Sequence, residues 1–556
     1  MWRRWLVAVL ICVIALSSIA AYALLQPKPA YTVILETPEI GTFYYLWYGA
    51  LSDDWETPKF VDTPILNKYN SSDLNVIKQQ LIWMQEAGLD FAVISWWGAS
   101  TDYGKSIDNA AKQVFQVAQE INSYLKFSIM VEPFNLSSGI NDFEEIYGYI
   151  WENFVAPYPL FYYDIEEKPV IYFYNNQNMT DNGNFLTDPR FTVITVGQQS
   201  NSTWTYLDDA NSLPHTNQVS VIPRFDDSRL NRTQNSQIDP DLSQGIYDQQ
   251  WQRAIQLWKA GEVNIIMVTS WNEFPERTAI EPHYDATAKN TDPFFLYEKT
   301  KTYVNQIHRL AAANYLKSHF NSDIKLIYES EENSFSLNAP EYHLNQVYYL
   351  YSDNLLAANA MKPYDPEISA QINKTIESYD LPSSDFFEVL FGKKISFGMF
   401  NAYTEIIGNY PDKIVLAEFR NYSDPIKGQY ADALIYQSLN SYLKGDRVNA
   451  SNYFNQALSM WDGKGIKDDA AKKDGKYANY KLALIMYSSK VLQIEIDKDL
   501  EMKLWSMQQT NGGITSLADL DGNPVGSANA ETTSMVLLAY DNQLISHVQE
   551  LFGKGL

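Results

Sequence analysis

Two glutamates, Glu273 and Glu276, stand three residues apart in the stretch Ile265 to Pro282, which reads IIMVTSWNEFPERTAIEP. Hydrolysis of a glycosidic bond needs one carboxyl group to move a proton at the leaving oxygen and a second group to stabilise or generate the electrophilic carbon. A carboxyl pair at one strand end, with one member shielded by Trp271 or Phe274, would have its pKa values pushed apart as that division of labour requires. The plainer alternative is that Glu276 and Arg277 form a solvated loop pair and that Glu273 caps the next element.

The elements that would hold these residues can be read from periodicity. Ile265 to Thr269 is an apolar, mostly β-branched run of strand length, the pattern of a strand buried on both faces, and Pro275 cannot extend it. That puts Trp271 to Glu276 at the carboxyl end of a buried strand, where α/β folds carry their chemistry. Further buried strands are predicted at Gly41 to Gly49, Phe91 to Trp97, Phe127 to Glu132, Pro169 to Tyr174, Phe191 to Val196 and Val219 to Phe225. Helices are predicted between many of them, among them one capped by Ser71-Ser72-Asp73 and one over Phe295 to Leu310. The alternation argues for an α/β fold, a (β/α)8 TIM barrel over residues 40–320, with a doubly wound open sheet as the alternative. No Gly-rich phosphate loop follows the first strand, which weakens a nucleotide-binding version.

Residues 321–340 turn polar and aperiodic, a linker, and beyond them strand signals fade. Helical spacing over Glu341 to Ala360, Pro366 to Tyr379, Gln429 to Leu443, Ala450 to Trp461, Ala478 to Val491 and from Ala530 on predicts an all-α domain over 341–556. It holds no clustered His or Cys and no phosphate cradle, so it is expected to position or extend a site without adding a reaction. A barrel ending near Asn321 is expected to keep activity on a small aryl glycoside while losing stability or affinity for a long glycan.

The segment WNEFPERTAIEP resembles the WNEWHEGTxIEP signature of glycoside hydrolase family 99, the endo-acting α-mannosidases and mannanases. Four more segments agree in order: FYYLWYG from Phe43, VISWWG from Val93, IMVEPF from Ile129 and VIPRFDD from Val221. The resemblance covers residues 40–310, and it implies a retaining hydrolase of α-linked, mannose-type glycans, without a cofactor. On the matched positions it makes Glu273 the general base acting on the substrate's own 2-hydroxyl and Glu276 the acid/base for the leaving group and then water, through a 1,2-anhydro sugar. It implies substrate-binding roles for Tyr45, Trp47, Trp96, Trp97, Glu132, Asp226, Trp271 and Asn272. A same-fold enzyme using Glu132 and Glu273 through a covalent intermediate, and a non-catalytic surface glycan-binding protein, stay open as alternatives. The chain departs from the signature at Phe274, Pro275 and Arg277, and Arg277 is expected to lower the pKa of Glu276. The segments LWSMQQTNGGITSL and ANAETTSMVLLAY resemble the terminal helix-turn-helix of α/α-toroid proteins.

Composition sets limits on partners. The chain of 556 residues carries a formal net charge of -25, which argues against nucleic-acid binding, since neutralising a phosphate backbone takes clustered Lys and Arg. Cys12 is the single cysteine and the six histidines are scattered, so no metal site is expected. Met1 to Arg4 is basic and Trp5 to Leu25 is uncharged, a cleaved signal (Ala21-Tyr22-Ala23 offers a site) or a membrane anchor over residues 1–25, with a tether over 26–39. Either way the rest is expected to be exported. Sequons at Asn70, Asn135, Asn178, Asn201, Asn231, Asn373, Asn421 and Asn449 suit an extracellular glycoprotein.

Overall fold

The computed structural model describes residues 35–554 apart from 51–54, 56–58, 134–139, 175–179, 182–183, 186, 197–216, 231, 234, 288–291, 331–346, 382–385, 396–398 and 425–428. The predicted signal or anchor segment and the sequons at Asn135, Asn178, Asn201 and Asn231 lie outside the described residues. Among the described residues no helix is long and apolar enough to cross a membrane.

Seven parallel strands build one sheet: β1 (Glu39–Tyr45), β2 (Phe91–Trp96), β3 (Lys126–Val131), β4 (Lys168–Tyr174), β5 (Thr192–Val196), β6 (Gln218–Val221) and β7 (Ile265–Val268). Their order across the sheet is β5, β4, β3, β2, β1, β7, β6, so neighbours in space are neighbours in sequence and β7 returns to β1 through Thr42 opposite Val268. Eight strands were expected. Among the described residues the eighth strand of the sheet is the short Asp164–Ile165, antiparallel to β4, and after β6 Phe225–Asp226 turns back and pairs antiparallel with Gln237–Ile238. Among the described residues β5 and β6 share no ladder, and the hydroxyl of Tyr172 reaches Gln218 Oε1 at 3.3 Å across the interior.

Both faces of the strands are buried, which is why their sequences are apolar runs. Phe43, Tyr45, Phe91, Val93, Met130 and Met267 point inward and pack together. The alternate residues Ile40, Tyr44, Ala92, Ile94, Trp96, Ile129, Val131, Ile266 and Val268 point outward under the helices. Those helices are α1 (Leu74–Glu86), α2 (Asp102–Glu120), α3 (Ile140–Ile150), α4 (Ile246–Lys259) and α5 (Phe295–Ser318). Asp73 caps α1 as predicted, its side chain accepting from the Asn75 amide at 2.9 Å, and Gly88, at φ 77°, turns the chain into β2.

The C-terminal part is not all helical. Helices α6 (Tyr351–Met361), α7 (Pro366–Ser378), α8 (Ala431–Leu443), α9 (Arg447–Leu458), α10 (Tyr480–Leu492) and α12 (Ala530–Ala539) overlap predicted ones, and α11 (Lys498–Trp505) and α13 (Asn542–Glu550) were not predicted. Helix α10 packs beside α8 and α12, and α12 beside α6, an arc of inner helices; α10 and α12 are buried nearly all round, hence their nearly uniform apolar sequences. Two small sheets accompany them: Met399–Asn409 and Lys413–Asp424 form a long hairpin flanked by Val347–Leu350, and Lys476–Ala478, Thr515–Asp519 and Pro524–Ala528 form a second. Nor is 321–340 simply a linker, because Phe320–Asn321 pairs with Leu326–Ile327 and the latter two residues are buried.

Helix α5 belongs to two cores at once. Its Ile307 and Ala311 pack under the strands of the parallel sheet, while Ala312, Tyr315 and Leu316 pack into the C-terminal core. Gly512 seals the junction: at φ 87° its backbone lies so near α5 that a Cβ would meet the Ala311 carbonyl oxygen at 2.3 Å. The Thr37 amide donates to Thr510 O at 2.6 Å and Gln508 Nε2 to His308 O at 2.9 Å.

Candidate active site

The chain leaving β7 folds back on itself before it reaches α5. Ser270 N donates to Thr278 O, Thr278 N to Glu273 O and Ile280 N to Ser270 O, while the Glu273 amide donates to Ser270 Oγ at 2.8 Å. This closed loop holds Glu273 and Glu276 at the carboxyl end of the sheet. Asn272 fixes it to β1: its Oδ1 accepts from Tyr45 N at 2.8 Å and its Nδ2 donates to Tyr45 O at 2.9 Å and to Tyr69 Oη at 3.0 Å. Tyr69 in turn donates to Glu281 Oε2 at 2.9 Å, a carboxyl that burial raises to about 8.

Glu132 comes to the same place from the end of β3. Its Oε1 accepts from Ser95 Oγ at 2.8 Å, and burial, followed by the charge of Glu276, raises its pKa to about 7. Glu273 is held well above the usual carboxylate range, first by burial and then by the charges of Glu276 and Glu132. Burial also raises Glu276, but Arg232 opposes it: Arg232 Nη2 bonds Glu276 Oε1 and its Nη1 bonds Asp227 Oδ2 at 3.1 Å. Tyr45 feels the charges of all three glutamates, and Tyr174, at the end of β4, is pushed to about 12 by burial and the same glutamates. Burial therefore raises all three carboxyl groups, and the charge of Glu276 raises Glu132 and Glu273 further.

The structure divides the residues singled out in the sequence. Glu273, Glu276, Glu132 and Tyr45 come together. Trp47 stands against Tyr45, with ring centroids 4.5 Å apart, and is half-buried. Trp97 is half-buried too, with its ring against Tyr103 of α2. Trp96 and Trp271 do not join the group. Strand alternation sends Trp96 outward, where its Nε1 donates to Asp108 at 3.0 Å and its ring stacks on Tyr149, and Trp271 is fully buried in the same helix-side layer. Asn272 is buried with both ends of its amide committed to β1 and Tyr69, so it positions the loop. Asp226 is likewise engaged, accepting from Ser228 N at 3.1 Å, Gln237 Nε2 at 3.0 Å and Arg277 Nη1 at 3.3 Å.

Arg277 corrects a further expectation. It adopts φ 59°, turns away from Glu276 and is buried, only 2% of its side chain exposed, where it binds Asp62 through Nε at 2.8 Å and Nη2 at 3.0 Å. Asp285 and Thr287 complete its shell at 3.2 and 2.6 Å, and Arg224 shares Asp62 from the other side at 3.2 Å. Two arginines and three aspartates, Asp62, Asp226 and Asp285, thus anchor the loop. The cation at Glu276 is Arg232.

Sequence reasoning missed Tyr174, Arg232 and Asp62. Tyr174 carried a usable signal, since it ends the buried run KPVIYFY two residues after inward-facing Tyr172. Arg232 and Asp62 come from irregular segments distant in sequence, and no period points to them.

No family model matches the chain, and no curated protein matches it. Among solved structures it is similar to the GH99 endo-alpha-mannosidase from Bacteroides thetaiotaomicron, at 21% identity over 50% of this chain and 98% of that one, with a TM-score of 0.39. A second structure of that enzyme gives 20%, 49%, 98% and 0.38. A chain described as a glycoside hydrolase-like protein matches at 13% identity over 50% of this chain and 97% of its own, with a TM-score of 0.38.

Proposed function

We propose that the chain is an exported, retaining glycoside hydrolase of α-linked, mannose-type glycans, endo-acting, with Glu273 and Glu276 as its catalytic groups. The observation that carries this reading is the gathering of Glu132, Glu273 and Glu276 around Tyr45 and Tyr174 at the carboxyl end of a parallel sheet, all three carboxyls raised by burial. Such a set can hold a proton on one carboxyl and a charge on another at the same pH, which is what acid and base assistance on neighbouring oxygens needs. The half-buried Trp47 beside Tyr45 offers an apolar face on which a sugar ring stacks.

In the reaction Glu273 takes the proton of the 2-hydroxyl as O2 attacks C1, and Glu276 gives its proton to the departing glycosidic oxygen. A 1,2-anhydro sugar results. Glu276, now a carboxylate, takes a proton from water as that water opens the anhydride at C1, and Glu273 returns a proton to O2. Both carboxyls end as they began. The alternative that pairs Glu132 with Glu273 through a covalent intermediate fits less well, because the Glu132 carboxyl already accepts from Ser95.

Incubating the protein with a panel of α-linked mannose disaccharides and following the first-formed anomer by NMR tests the proposal. Release of α-configured product before mutarotation is expected. Release of β-product, or release from β-linked analogues alone, would overturn it.

A further inference from the structure

The roles proposed for the two glutamates need the proton on Glu276 and the charge on Glu273. The arrangement without substrate favours the reverse. Glu276 is ion-paired to Arg232, which stabilises its carboxylate, whereas Glu273 lies deeper, 6% exposed, facing the charges of Glu276 and Glu132. Arg232 reaches the site from the segment between Phe225–Asp226 and Gln237–Ile238, outside the sheet strands. Its side chain is 45% exposed, and it is held by Glu276 and by Asp227, whose Oδ1 is fixed by Ser236 N at 2.6 Å. Both Nη groups are therefore held by carboxylates while the side chain, nearly half exposed, stands at the rim. Because Glu276 serves the glycosidic oxygen, that rim is where the departing sugar lies.

Resting on the hydrolase reading above, we propose that Arg232 is a specificity determinant, selecting glycans whose departing sugar carries one anionic group, a carboxylate, sulfate or phosphate. That anion accepts the guanidinium edge, Arg232 leaves Glu276, and a proton passes from the Glu273 carboxyl to the Glu276 carboxylate. Substrate thereby installs the protonation state the reaction uses. The planar fork of arginine suits all three anions. Lys59, the other cation that acts on Glu273, adds to the local positive charge, while the overall charge of -25 disfavours a polyanion and leaves a single substituent as the fitting ligand.

The test uses matched α-mannosyl disaccharides with glucose, glucuronate, glucose 6-sulfate or glucose 6-phosphate as the departing unit. In the intact protein kcat/KM is expected to favour an anionic member over glucose by roughly 10- to 100-fold, the range of one charge-assisted hydrogen bond. The largest of the three ratios identifies the group. Arg232→Gln should bring the ratio close to one and move the alkaline limb of the profile on glucose upward, since Glu276 then keeps its proton longer; Arg232→Lys should keep part of the preference. A purely structural role for Arg232 would lower all substrates together and leave the ratio alone, and that result would overturn the inference, as would equal rates on charged and neutral members in the intact protein. Failure to cleave any member would instead remove the hydrolase reading, and this inference with it.

Discussion

Glu273→Gln and Glu276→Gln are each expected to lower kcat by at least about 100-fold, and by up to about 10⁴-fold, on any substrate that needs both proton transfers. The folded protein should survive both changes. Glu273 is a carboxyl raised by burial, so its folded pKa lies above its unfolded one and the stability linked to it is present at low pH and lost as pH rises through the folded value. Glutamine removes that loss. The Glu273→Gln protein is therefore expected to melt higher than the parent at pH 8 and much the same at pH 4, the opposite of what a damaged fold would show. Activity gone with stability raised above neutral pH marks a residue kept for chemistry. Parent-like rates in both variants would contradict the placement of the site.

A chain ending at Asn321 is expected not to fold, which reverses the expectation that it would keep activity on a small substrate. The boundary drawn there cuts through shared packing: Ala312, Tyr315 and Leu316 of α5 would lose the whole C-terminal core, of which Leu326 and Ile327 are part. Each large apolar side chain returned to water costs about 1.5–3 kcal/mol. The sum over a few such residues reaches the total stability of an ordinary domain, about 5–15 kcal/mol. Loss of the Thr510 and Gln508 contacts would also free the start of β1 and the middle of α5. The truncated chain should lack a cooperative thermal transition and pass into aggregates. A soluble, cooperatively melting and active fragment would show that the two cores are independent.

Much of this architecture was legible because burial writes itself into strands. The runs IIMV and FAVISW are apolar without a helical period since both their faces are covered, and the strand ends then point to Glu132, Glu273 and Glu276. What failed was direction. Trp96 and Trp97 look equivalent in the sequence, yet alternation sends Trp96 under the helices, and the register that decides this depends on partners far away. The hairpin Met399–Asn409 with Lys413–Asp424 was hidden because its apolar residues, such as Ile414, Val415 and Leu416, form a short cluster in a polar stretch. Arg277 looked like a neighbour of Glu276 because adjacent residues were assumed to face one way. Its backbone at φ 59° reverses the chain there, and Asp62, more than 200 positions earlier, claims the guanidinium. The cation that does meet Glu276 sits in a polar loop, where only the fold could reveal it.

The central claim is that the substrate's own 2-hydroxyl, freed of its proton by Glu273, displaces the leaving group while Glu276 protonates it. The most direct measurement compares an α-mannoside bearing an activated leaving group with its 2-deoxy-2-fluoro analogue, following release of the leaving group and the intact mass of the protein. Turnover of the parent, with no release from the fluoro compound above background and no mass added to the protein, is the predicted result. A protein heavier by one fluorosugar, with the adduct on Glu132 or Glu273, would contradict it.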